Sequence, residues 1–135
     1  MSRSGYSEDV ENDWSLIRWR GAVASAFRGK RGQSFLREML TALDALPEKK
    51  LVAHELVESD GSVCALGAVG KSRGLDMTEI DPEDHEGVAN EFDVAHAMAC
   101  EIMFENDDIV RNETPEQRFV RMRRWIESQI KGETK

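Results

Sequence analysis

Residues 60–74 read DGSVCALGAVGKSRG, and this stretch decides the fold. Between the Asp-Gly turn at its start and the glycine at its end, most side chains are small, so the backbone can approach neighbouring segments closely. Glycine inside a helix costs about 1 kcal/mol relative to alanine, and close packing has to offset that cost. We therefore predict a central helix that ends at Gly74 and lies among other helices.

The composition is that of a soluble globular chain. The 135 residues are 40% hydrophobic and 33% charged, a length that suits one domain with a real core. Apolar runs fall well short of the roughly 20 residues of a membrane span, and the N-terminus lacks the apolar segment of a secretory signal. The two cysteines are not spaced as a CxxC motif. We expect a cytoplasmic protein with reduced thiols and no cofactor.

The hydrophobic periodicity predicts a mainly α fold: a bundle of five or six helices with a small β-hairpin beside the central helix. The hairpin would pair residues 51–57 with residues 62–64, and residues 29–32 would form a basic turn between the first two helices. Residues 1–11 are expected to be a flexible polar lead-in, and residues 12–132 one helical domain. The predicted helices cover residues 12–28, 33–46, 65–73, 82–90, 94–105 and 115–131.

Four residues are typical of helix ends. Asp81 and Asp93 are predicted to cap the helices that follow them, and Thr114 begins a capping-box pattern with proline at the first helical position. Gly132 is predicted to lie just beyond the end of the last helix.

The net charge of −8 is distributed unevenly along the chain. Residues 51–117 carry 3 basic and 17 acidic groups, whereas residues 14–50 and 118–135 are both net positive. Two explanations stay open. The basic helices neutralise their acidic neighbours within the fold, or an acidic surface meets a basic partner.

Several patterns suggest chemistry, but each has a simpler structural explanation. Residues 65–72 match a relaxed P-loop pattern, yet Gly74 would end the helix that a P-loop requires. His54, Cys64, His96 and Cys100 include zinc-ligand residue types without finger-like spacing, and Cys64 lacks an orienting partner for nucleophilic attack. The oxygen-rich residues 106–113 lack the register of a calcium loop. We therefore expect no catalytic residue, no metal and no enzyme activity.

Three motifs resemble a known group of proteins. Cys-Ala-Leu-Gly-Ala at residues 64–68, Asn-Asp at 106–107 and Thr-Pro-Glu-Gln-Arg-Phe at 114–119 are similar to those of uncharacterised small proteins encoded in phages and prophages of proteobacteria. The resemblance implies an accessory protein in a bacterial cytoplasm. It implies no site residue, because the motifs are of packing and capping residues.

We expect a non-enzymatic protein that binds a host or phage protein, including an acidic inhibitor of host defence. The candidate contact residues are Asp84, Glu86, Asp107 and Asp108. The alternative is a nucleic-acid-binding accessory protein that uses basic surfaces. Its candidate residues are Arg28, Lys30, Arg31, Arg118, Arg121 and Arg124. The oligomeric state is not predicted.

Overall fold

The structure is a computed structural model that describes residues 13–131. Within that range the chain forms six α-helices, which confirms the predicted mainly α class. In chain order they are α1 Asp13–Arg28, α2 Lys30–Asp44, α3 Ala65–Arg73, α4 His85–Phe92, α5 His96–Asp107 and α6 Pro115–Gln129, with a short 3-10 turn at Met77–Glu79. None of these helices has both the length and the apolar character needed to cross a membrane. The predicted lead-in and Gly132 lie outside the described residues.

The predicted β-hairpin is reduced to a single antiparallel bridge between Val57 and Val63. The turn closes with the Gly61 amide donating to the Glu58 carbonyl at 2.8 Å. No strand is present between residues 13 and 131. The segment is too short and too irregular for a ladder, because a two-stranded ribbon is marginal without further pairing.

Helix α3 lies at the centre, as its small residues predict, and packs against α2 and α5. A Cβ on Gly67 would overlap the Leu56 carbonyl oxygen, and a Cβ on Gly70 would overlap the Met77 side chain. Gly74 ends the helix in the left-handed conformation, with φ of 75°. The largest fully buried side chains of the core include Leu36, Met39, Leu43, Leu66, Ile102 and Met122.

The predicted four-residue turn at residues 29–32 is wrong, because Gly29 alone separates α1 from α2. Gly32 is buried inside α2, where a Cβ would overlap the Ala26 carbonyl oxygen of α1. This glycine therefore permits a close approach between two helices. Turn formation and close packing select the same residue, so sequence alone does not separate the two uses.

Two predicted caps have other roles. Asp84, and not Asp81, caps α4 by accepting a hydrogen bond from the Gly87 amide at 3.1 Å. Asp93 ends α4 in the left-handed conformation, with φ of 58°, and α5 begins only at His96. Aspartate favours both kinds of position, which explains the error. The capping box at Thr114 is confirmed.

The close approach at Gly67 gives a direct test of the central helix. We expect Gly67→Ala to lower the free energy of unfolding by about 1–3 kcal/mol, because the new methyl group meets backbone that cannot move cheaply. The measurement is urea denaturation followed by circular dichroism. The matched control is Gly21→Ala at an exposed position of α1, where an added Cβ would have no neighbouring atom within 4 Å. It should raise stability by about 0.5–1 kcal/mol, and equal effects of the two substitutions would contradict the packing described here.

Candidate functional site

His85, His96 and Cys100 bring three metal-ligating atoms together where α4 and α5 begin. The ligating atoms lie within 4.8 Å of one another. The ring centroids of the two imidazoles lie 4.5 Å apart, and their planes are inclined by only 17°. Nδ1 of His85 faces Nε2 of His96 in a hydrogen bond. His85 and His96 are the first residues of their helices, and Cys100 follows one turn later on the same face of α5 as His96.

The surroundings of this histidine–cysteine cluster favour the neutral forms of His96 and Cys100. Burial, followed by the nearby His85, lowers the pKa of His96 below its ordinary value. Burial also raises the pKa of the Cys100 thiol to about 12, with a further contribution from the nearby glutamates. Trp19 of α1 packs edge-on against His96, with ring centroids 5.7 Å apart. At neutral pH the Cys100 thiol is therefore un-ionised, a poor state for nucleophilic attack.

The sequence pattern groups His96 and Cys100 with His54 and Cys64, which lie outside this cluster. The amide of His54 donates to Asp107 at 3.0 Å, at the far end of α5. The Sγ atom of Cys64 caps α3 by accepting a hydrogen bond from the Gly67 amide at 3.3 Å. His85 was missed because it lies among acidic residues. Its position in the sequence could have indicated the cluster, because His85 begins the helix directly before the one that contains His96 and Cys100.

The four acidic candidates do not form one surface. Asp84 and Glu86 are exposed, and Asp108 is half-buried. The Asp107 side chain is buried, and its carboxylate accepts hydrogen bonds from the His54 amide and from Asn106 Nδ2, the latter at 2.8 Å. Asp107 is therefore a structural residue and is removed from the contact set.

The acidic middle of the chain divides into two parts. Near α6, Glu105 and Glu113 pair with arginines of that helix. Glu113 lies between Arg118 and Arg121, with its Oε1 2.6 Å from Arg121 Nη2, and hydrogen bonding from that guanidinium lowers the pKa of Glu113.

Residues 76–91, which we call the acidic segment, are different. No lysine or arginine occurs between Arg73 and Arg111. All seven carboxylates of the acidic segment belong to exposed residues, and none forms an ion pair within residues 13–131. They belong to Asp76, Glu79, Asp81, Glu83, Asp84, Glu86 and Glu91.

The basic candidates are also divided. Arg118 is buried and donates to the carbonyls of Asn106 and Leu51, at 2.9 and 3.3 Å. Arg121 is engaged with Glu113 and with backbone carbonyls. Arg124 is exposed on α6.

Arg28, Lys30 and Arg31 are exposed where α1 meets α2. Lys30 and Arg31 line a shallow cavity of about 240 Å³, and Arg31 lies 3.6 Å from Asp93. Most of the α6 half of the predicted nucleic-acid surface is therefore engaged within the fold.

The three resemblance motifs meet at Asn106, which is 1% exposed. Its Oδ1 accepts a hydrogen bond from the Ala65 amide at 3.2 Å, and its Nδ2 donates to the Val52 carbonyl at 2.9 Å. Its own carbonyl accepts from Arg118. One side chain thus joins the start of α3, the irregular segment before it and the end of α5.

The remaining motif hypotheses have structural outcomes. Residues 65–72 lie inside α3, so the P-loop pattern forms the helix itself and provides no phosphate-binding loop before it. The Asn106 side-chain oxygen and one Asp107 carboxylate oxygen accept hydrogen bonds from backbone amides. These oxygens are the ligands that a calcium loop would need, so the calcium-loop pattern has a structural role instead.

Comparison with known proteins adds no assignment to these sites. The chain matches no protein-family model, no curated protein and no solved structure. The resemblance to phage and prophage proteins therefore stays a prediction.

Asn106→Ala tests the structural role of the Asn106 side chain. The substitution leaves a buried amide and a buried carbonyl without partners, so we expect a loss of about 2–4 kcal/mol in the free energy of unfolding. Urea denaturation gives the value. Asn90→Ala, at an exposed position of α4, is the control and should stay within about 0.5 kcal/mol of the parent protein. A similar small effect of Asn106→Ala would contradict the assigned role.

Proposed function

We propose that the protein acts without catalysis, by binding another protein through the acidic segment, residues 76–91. The observation that supports the proposal is the absence of internal cations around its seven exposed carboxylates. The Glu79, Glu83, Glu86 and Glu91 carboxylates make no hydrogen bond or ion pair with any part of residues 13–131. The three aspartates form local contacts in turns and at a helix cap.

The physical argument is one of uncompensated charge. Like charges on one surface repel each other and weaken the folded state, and a complementary basic surface relieves that repulsion. Such complementarity speeds association and selects partners, and its effect falls as salt screens it. The partner is thus a protein with a basic face, in the bacterial cytoplasm if the resemblance holds. An inhibitor that presents a DNA-like charge pattern to a defence protein belongs to this class.

Two matched double variants test the proposal. Glu79→Lys with Glu83→Lys reverses two charges in the acidic segment and leaves the caps at Asp76 and Asp84 in place. Glu55→Lys with Glu58→Lys, also at exposed positions, changes the net charge by the same amount outside the segment. Tagged proteins would be used to capture partners from a bacterial lysate, with and without nuclease treatment, at low and at high salt.

We expect the parent protein and the control double variant to recover one stoichiometric protein at low salt, and the segment variant to lose it. Mass spectrometry of the recovered band provides the readout. Equal recovery by both double variants would refute contact through the acidic segment. Recovery of material that disappears on nuclease treatment would favour the nucleic-acid alternative through Arg28, Lys30 and Arg31.

A further inference from the structure

We infer that His85, His96 and Cys100 form a binding site for a single zinc ion between α4 and α5. Two observations start the argument. The three ligating atoms already lie within 4.8 Å of one another, and the facing nitrogens of the two imidazoles share one hydrogen bond. A metal ion could take the place of the shared proton and bind both imidazole nitrogens and the converging sulfur atom.

The distances suit a tetrahedral ion. Zinc binds histidine nitrogen at about 2.0–2.1 Å and cysteine sulfur at about 2.3 Å, which places ligand atoms of one site roughly 3.3–3.8 Å apart. The three ligating atoms lie within 4.8 Å of one another, so small side-chain rotations would bring them to these distances. His96 and Cys100 are four residues apart on one helix, a spacing that directs both side chains to the same side.

The donor types select the metal. A mixture of imidazole nitrogen and thiolate sulfur favours zinc over calcium or magnesium, which prefer oxygen ligands. A zinc ion deprotonates a coordinating thiol outright, so the neutral thiol of the metal-free protein is no obstacle. With two neutral imidazoles and one thiolate the site keeps a charge of +1, and Glu86 lies close enough to influence both His96 and Cys100.

With three protein ligands, the ion would keep a fourth position for water or an outside ligand, next to the proposed contact surface. His85 lies within the acidic segment, whereas His96 and Cys100 belong to α5, and Trp19 of α1 covers one edge of the cluster. A bound ion would therefore join the acidic segment to α5. Because zinc binds the folded arrangement and not the unfolded chain, it should raise the melting temperature. This inference does not rest on the proposed protein partner.

The test uses the full chain with any affinity tag removed, freed of metal by a chelator and then dialysed. Calorimetric titration with Zn²⁺ should give a stoichiometry of one. Titration with Co²⁺ should produce the charge-transfer absorption of a cobalt–thiolate bond. Substitution of a ligand, as in His85→Ala or Cys100→Ser, should weaken zinc binding by roughly 100-fold or more. The melting temperature should rise with zinc in the parent protein and not in His85→Ala.

His54→Asn is the matched control, since it removes the other described histidine, at a position with φ of 72° that asparagine tolerates. It should bind zinc as the parent protein does. His85 is half-buried at the start of its helix, so His85→Ala should fold, and circular dichroism checks this. Absence of zinc binding by the folded parent protein, or undiminished binding by a folded His85→Ala variant, would overturn the inference.

Discussion

An irregular chain segment can be buried only if its backbone polar groups have hydrogen-bond partners, and the Asn106 side chain provides such partners here. The segment before α3 passes through the core without a strand, and Leu51, Val52 and Leu56 within it are buried. Helix α5 supplies the hydrogen-bond partners that a neighbouring strand would supply in a sheet, because the Asn106 side chain bonds to the Val52 carbonyl and the Ala65 amide. Arg118 adds hydrogen bonds to Leu51 and to the Asn106 carbonyl. The start of the central helix depends on these contacts.

Local signals allowed most of the fold to be predicted from the sequence. The small residues of α3, the glycine at its end and the capping box at Thr114 act within a few residues, so their effect is visible in the sequence. The errors arose where one residue type suits two structural roles. Gly32 was predicted in a turn but permits close helix packing, and Asp93 was predicted to begin a helix but ends one. The sites were harder to predict, because the pairing of His85 with His96 depends on how two short helices pack.

The carboxylates of the described residues differ in whether a cation of the fold pairs with them. Carboxylates near α6 are bound by arginines, as in Glu113 with Arg121, and this supports internal neutralisation there. The acidic segment has no such cations within residues 13–131, which supports the second explanation for its charge. The histidine–cysteine cluster joins the acidic segment to α5. A metal ion there would stiffen the contact surface without entering the hydrophobic core.

The most direct test of the account is amide hydrogen exchange at Ala65, followed by NMR. An amide in the first turn of a helix has no partner within the helix and ordinarily bonds to water or to a cap. If Asn106 holds the Ala65 amide in the core, that amide should exchange as slowly as the amide of Val69, which lies inside α3. Exchange of the Ala65 amide at the rate of an unprotected residue would contradict the central role of Asn106.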